Sequence, residues 1–222
     1  MTGYTPGYIV IEGPIGVGKT SLARRLATSF GSELLLEEPE ENPFLARFYR
    51  NPQHAALATQ LFFLFQRVRQ AEALRQGDLF RPVRIADFLM EKDRLFARLT
   101  LDDDELALYD QVYNHVVLEA PQPDLVIYLQ APPTVLLARI RQRNRSYEQH
   151  VDGMYLQRLV DEYTRFFYQY DRAPLLIVNA AQIDLVNNDK DYEELLARVK
   201  CVHSGRHFFN PLPFDMVREH AQ

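Results

Sequence analysis

The octapeptide Gly13-Pro-Ile-Gly16-Val-Gly18-Lys19-Thr20 follows directly on the apolar run Tyr8-Ile-Val-Ile-Glu12 and opens a helical pattern from Lys19 to Phe30. A strand that breaks into a glycine-rich turn and restarts as a helix leaves little choice of fold, because this spacing is the template of a phosphate-binding loop. Glycines let the backbone turn so that successive N–H groups point at phosphate oxygens, and the helix N-terminus adds its partial positive charge. Lys19 supplies a point charge for the β- and γ-phosphates, and the Thr20 hydroxyl is a ligand for Mg²⁺. Gly13, Pro14, Ile15, Gly16, Val17, Gly18, Lys19, Thr20 and Ser21 are therefore expected to hold a nucleoside triphosphate.

Four more short apolar runs follow: Glu33-Leu-Leu-Leu-Glu37, Val83-Arg-Ile-Ala-Asp87, Asp124-Leu-Val-Ile-Tyr-Leu129 and Pro174-Leu-Leu-Ile-Val-Asn179. Helical patterns separate them, near Pro43 to Tyr49, Pro52 to Gln76, Met90 to Arg98, Asp103 to Glu119, Pro132 to Arg143, Gly153 to Tyr170 and Tyr192 to Lys200. Strands apolar on both faces and alternating with helices predict an α/β fold, a five-stranded parallel sheet covered on both sides. Right-handed crossovers then bring every strand C-terminus to one edge, where ligands of open α/β sheets bind. A chain of 222 residues suits one such domain, over residues 1–200, with 201–222 read as a C-terminal extension on the surface. The net charge of −5 argues against a nucleic-acid polymer or an anionic membrane as partner. A single cysteine, Cys201, excludes an intrachain disulfide, and no apolar run reaches the length of a membrane span, so the cytoplasm is the expected compartment.

A phosphate loop is shared by switches, motors and kinases, so the other polar residues on its edge decide. Glu37 ends the second predicted strand and Asp87 the third, both facing the loop in a parallel sheet. Such a Glu can take the proton of an acceptor hydroxyl, while the Asp can hold Mg²⁺ together with Thr20. Glu38, Glu40 and Glu41 read as solvated strand-end acids. Arg139, Arg141, Arg143 and Arg145 fall within seven residues at a helix end, where guanidinium forks can close as a lid over transferring phosphates; a solvated helix end is the plainer alternative. On the long helix, Gln60 and Arg67 are seven apart and share one face, as a pair that reads the edge of a base would. Phe62, Phe63 and Phe65 between them read as packing residues.

Taken together, Glu12-Gly-Pro-Ile-Gly-Val-Gly-Lys-Thr20, Glu40-Glu-Asn-Pro-Phe-Leu45 with Phe48-Tyr49, Gln60 to Arg67, Ile85-Ala-Asp-Phe88, and Arg139-Ile-Arg-Gln-Arg-Asn-Arg145 through Glu148 resemble the bacterial deoxynucleoside kinases of the deoxyguanosine and deoxyadenosine kinase type. The resemblance spans Ile9 to about Lys200. It implies a P-loop kinase with an arginine-rich lid that phosphorylates the 5′-hydroxyl of a deoxynucleoside, purine favoured, from ATP with Mg²⁺, as a homodimer built on helices. It further implies Glu37 as the base at the 5′-hydroxyl (preferred over the alternative Glu38 from the spacing to Glu40 and Asn42), Tyr49 and Glu148 at the 3′-hydroxyl, Gln60 and Arg67 at the base with Asp93 as partner of Arg67, Arg139, Arg143 and Arg145 around the phosphates, and Tyr155 near the sugar. The family's third-strand acid is often followed by arginine, whereas Phe88 follows Asp87 here, with Arg94 or a lid arginine as the expected replacement.

Two rivals remain at this level. A nucleoside monophosphate kinase of the thymidylate kinase type shares loop and lid but needs a further cation for the acceptor phosphate, a place Arg67 can fill. A silent nucleotide-binding subunit would also keep the loop, and Phe88 is the residue that favours it.

Overall fold

The computed structural model describes residues 6–76, 83–116 and 121–210. Six strands run β1 (Tyr8–Glu12), β2 (Glu33–Leu35), β3 (Arg84–Ala86), β4 (Leu125–Gln130), β5 (Leu175–Asn179) and β6 (Arg206–Phe209). They form one parallel sheet in the order β2-β3-β1-β4-β5-β6. Alternation along a strand sends successive side chains to opposite faces, and both faces are covered. Ile9 and Ile11 pack toward one layer with Leu22 and Leu26 of α1 (Lys19–Phe30), Leu136 and Ile140 of α6 (Pro133–Arg143) and Leu195 of α8 (Asp189–Val199). Val10 between them faces the other layer, with Leu95 of α4 (Asp93–Thr100) and Leu159, Tyr163 and Phe167 of α7 (Gly153–Gln169). Ile9, Val10 and Ile11 are wholly buried, each stabilising the fold by roughly 1.5–3 kcal/mol.

Outside these layers, α3 (Ala56–Gln76) packs Leu64 against Met90, Ala97 of α4 and Tyr109 of α5 (Asp103–Val116), while α2 (Leu45–Arg50) closes one end of α3. The last residues expected in α5, 117–119, lie outside the described residues.

The expected sheet of five strands is one short. β6 lies inside the segment read as a surface extension and pairs with β5 from Leu175↔Arg206 to Val178↔Phe209. It is a four-residue edge strand with one solvated face, and Arg-His-Phe-Phe carries no buried strand's apolar run. Its Arg206 donates to the backbone oxygens of Tyr168 and Tyr170 at 2.9 and 3.1 Å, tying the edge to the end of α7.

Candidate active site

The sheet order changes direction about β1, which has β3 on one side and β4 on the other, and the loop after β1 opens into the crevice that this creates. Gly13 takes φ 153°, and a Cβ there would stand 2.5 Å from the Leu129 carbonyl oxygen. Gly18, at φ 107°, caps the N-terminus of α1, where Lys19 and Thr20 begin the helix. Lys19 Nζ donates to the Gly13 carbonyl at 2.8 Å. Burial, then the neighbouring Lys92, push its pKa down.

A cavity of about 450 Å³ lies over this edge, lined from the loop by Ile15, Gly16, Lys19 and Thr20. Gly13, Pro14, Val17, Gly18 and Ser21 do not line it. Asp87 directly follows β3, and its carboxylate bridges two elements: Thr20 Oγ1 donates to Oδ2 at 2.5 Å and the Glu37 backbone N–H to Oδ1 at 2.8 Å. Burial and the Glu37 charge raise the Asp87 pKa. Glu37, two residues beyond β2, is gripped at Oε1 by Lys92 Nζ at 3.0 Å and by the Arg67 guanidinium. Burial would raise its pKa, but Lys92, Arg67 and Lys19 together hold it well below the ordinary carboxylate range.

α3 carries Gln60, Phe63 and Arg67 along one wall of the cavity. Arg67 pairs with Asp93 at the start of α4 as well as with Glu37, and both Arg67 and Asp93 are buried. Asp93 itself stands behind the wall. Gln60 Nε2 donates to Thr100 Oγ1 at 3.3 Å. Phe63 packs against the cluster of Leu45 and Phe48, as expected, but also faces the cavity with Arg67 5.3 Å over its ring, while Phe65, expected to pack, is exposed; polar and apolar residues are spread all round the helix, so spacing alone does not assign its faces.

Opposite α3, the helix α6 ends at Asn144 in a left-handed conformation (φ 52°), which turns the chain out of the helix. Arg143 then forks onto Glu148, Nε to Oε2 at 2.8 Å and Nη2 to Oε1 at 2.5 Å. Arg145 reaches Glu40 at 3.1 Å and the Tyr147 hydroxyl at 2.7 Å; Glu40 is exposed, as expected, and carries this pairing at the surface. Tyr49 lies between Tyr147, stacked with ring centres 6.5 Å apart, and Tyr155, edge-on at 6.4 Å. Burial raises the Tyr49 pKa well above its usual value. Tyr155 owes its position to Asp152, whose side chain caps α7 by accepting from the Tyr155 N–H at 2.7 Å.

Three expected site residues are placed elsewhere. Arg139 donates to the Val17 and Ala180 carbonyls at 3.3 and 2.8 Å, bracing the loop from behind rather than lining the cavity. Phe88 is buried in the apolar layer with Tyr128, Tyr163 and Phe167. Arg94 pairs with Asp110 at 2.8 Å on the α4–α5 side, away from the cavity, and so replaces no cation beside Asp87. Two residues were missed. Lys92 lines the cavity although it falls at the start of the stretch expected as a helix, Met90 to Arg98, with nothing there to single it out. Glu12 is wholly buried, accepting from the Gly13 and Leu89 N–H groups and from the Tyr163 hydroxyl. The one signal for Glu12 was an acid ending an otherwise apolar strand.

A parallel α/β sheet with a phosphate loop at its switch point, facing acids and a lid of arginines, defines a P-loop phosphotransferase. The sequence profile of the deoxynucleoside kinases matches residues 9–203, and the chain belongs to that family. It is 36% identical to a deoxyguanosine kinase of Bacillus subtilis, over 88% of this chain and 97% of that one. It is 27% identical to a deoxyadenosine/deoxycytidine kinase of the same organism, over 87% and 92%. A structure of deoxyadenosine kinase from M. mycoides with bound dATP superposes with a TM-score of 0.76 at 26% identity, over 87% of this chain and 98% of that one.

Proposed function

We propose that this deoxynucleoside kinase transfers the γ-phosphate of ATP to the 5′-hydroxyl of a purine deoxynucleoside, with Glu37 as the residue that receives the hydroxyl proton. The observation that carries the reading is the link from the Glu37 backbone N–H through the Asp87 carboxylate to Thr20, which ties the residue of the acceptor side to the donor loop in two hydrogen bonds. Glu37 stays ionised at any neutral pH, so it orients the hydroxyl from the outset. The proton follows only as the new O–P bond forms and the hydroxyl becomes acidic. Phosphoryl transfer needs positioning and charge more than covalent help, and Lys19, the loop amides, Arg143 and Arg145 supply them, with Arg139 holding the loop in shape.

Thr20 and Asp87 offer the paired hard oxygens that would hold Mg²⁺, which when bound would supply positive charge against the phosphates. Tyr49 and Glu148 are assigned to the sugar 3′-hydroxyl and Tyr155 to the sugar face; Phe88 backs the site from the core. Gln60 and the Arg67–Asp93 pair are assigned to the base. Within that pair Arg67 Nε and Asp93 Oδ2 are buried without a hydrogen-bond partner among the described residues, a donor and an acceptor together. The similarity to a deoxyguanosine kinase supports a purine. A homodimer in the cytoplasm, without membrane or nucleic-acid partners, completes the reading; among the described residues no helix is long and apolar enough to cross a membrane. Arg67 is committed to Glu37 and Asp93, which weighs against its serving an acceptor phosphate as a monophosphate kinase requires.

The test is phosphate transfer from Mg·ATP to deoxyguanosine, deoxyadenosine, deoxycytidine, thymidine and thymidine monophosphate. Highest kcat/KM on a purine deoxynucleoside is expected. Turnover of the monophosphate alone would replace this reading with the monophosphate-kinase one.

A further inference from the structure

Lys92 belongs to no motif that the sequence displays, yet its ammonium is among the most deeply buried charges of the molecule, at 2% exposure. It stands on the short turn Met90–Lys92 between β3 and α4 and bridges two carboxylates, Glu12 Oε2 at 3.2 Å and Glu37 Oε1 at 3.0 Å, over the ring of Phe96. The two carboxylates differ in kind. Glu12 is an anchor, its oxygens already filled by the Gly13 and Leu89 N–H groups at 2.8 Å and the Tyr163 hydroxyl at 2.9 Å. Glu37 is held by side-chain cations only, and both of them grip the same oxygen, Oε1. Its second oxygen is thereby the one left to meet a hydroxyl.

A buried ion pair is weak evidence for a purely stabilising role, because desolvating the charges offsets most of their attraction. The geometry gives Lys92 another task. Arg67, the other cation on Glu37, is shared with Asp93 and belongs to the α3 wall. Asp87 ties only the Glu37 backbone to the phosphate loop, whereas Lys92 joins the Glu37 carboxylate to Glu12 at the end of β1, where the loop begins. Resting on the kinase reading above, we infer that Lys92 is a positioning residue that fixes the Glu37 carboxylate, through Glu12, in a constant relation to the phosphate loop. It sets the attack geometry and acts on the reaction only through Glu37.

A double-mutant cycle separates this from a structural role. Wild type, Lys92→Met, Glu37→Gln and the double variant are compared in kcat and KM for deoxyguanosine and deoxyadenosine, with thermal unfolding and ADP binding as controls of fold. Lys92→Met is expected to lower kcat roughly 10²-fold with KM changed less than about threefold, the size seen when one preorganised charge is lost. In the Glu37→Gln background the same substitution is expected to cost less than about threefold, because the group it positions is gone. Lys92→Arg, which keeps a cation, is expected to recover at least about tenfold of the loss. If Lys92→Met leaves Glu12 unpaired and does not fold, the cycle is run with Lys92→Gln, whose uncharged amide still offers Glu12 a donor but is too short to hold Glu37 as well. Equal losses in both backgrounds, or a folded Lys92→Met with wild-type kcat, overturn the inference while leaving the kinase reading intact. A wild type that phosphorylates no deoxynucleoside overturns both.

Discussion

Glu37 shows how a single carboxylate is prepared by its neighbours. Its pKa in the folded protein lies below the ordinary 4.5, burial opposing and Lys92, Arg67 and Lys19 outweighing it. A depressed carboxylate contributes stability that is complete above 4.5 and is lost as pH falls through that value toward the folded one. Denaturation of wild type and Glu37→Gln should therefore differ most near neutral pH, with the gap narrowing as the solution is acidified below about pH 4; a gap independent of pH would mean that the three cations do not act on this group. On the sugar side, Tyr49→Phe removes one hydroxyl and is expected to raise KM for the deoxynucleoside about tenfold, the equivalent of one hydrogen bond, with kcat little changed. The sequence made Glu37, Asp87 and Lys19 legible because strand-end acids and the loop lysine are located by local pattern. It did not make Lys92 legible, because a lysine at the start of a helical pattern acquires its meaning only when α4 and β1 meet in space.

At the scale of elements, the loop after β1 depends on one close approach of backbones. Gly13→Ala would place a methyl 2.5 Å from the Leu129 carbonyl of β4 and force a residue with a side chain to φ 153°. It is expected to cost about 2 kcal/mol or more of unfolding free energy and to abolish tight nucleotide binding, measured by denaturation and by ADP titration. Two helix starts were readable to the residue, α1 at Lys19 and α7 at Gly153, whereas α8, capped by Asn188, begins at Asp189 rather than at the expected Tyr192. Arg139 was placed on the correct helix and given the wrong address, since the face of α6 that meets the phosphate loop is set by packing onto the sheet, as Ile140 and Leu136 against Gly16 show. Phe63 and Phe65 make the same point on α3, where polar and apolar residues mixed round the helix hide which side faces the cavity.

For the whole molecule, the sheet of parallel strands and the edge bearing the site followed from the alternation of apolar runs with helices. The sixth strand did not, because an edge strand needs no apolar run. Ending the chain after Gly205 would strip β5 of its partner along Leu175–Val178 and leave an unpaired edge, so a lower melting temperature and concentration-dependent association are expected in calorimetry and light scattering; unchanged melting would mean that β6 adds nothing. The central claim is that this chain moves the γ-phosphate of ATP onto the 5′-oxygen of a deoxynucleoside by way of Glu37. Its most direct test is label transfer from γ-labelled Mg·ATP to deoxyguanosine by wild type and Glu37→Gln in parallel, with ADP binding measured on both. The account predicts labelled deoxyguanosine 5′-monophosphate from the wild type and at least a roughly 10²-fold slower transfer by a variant that still binds ADP. Equal rates in the two proteins would contradict it.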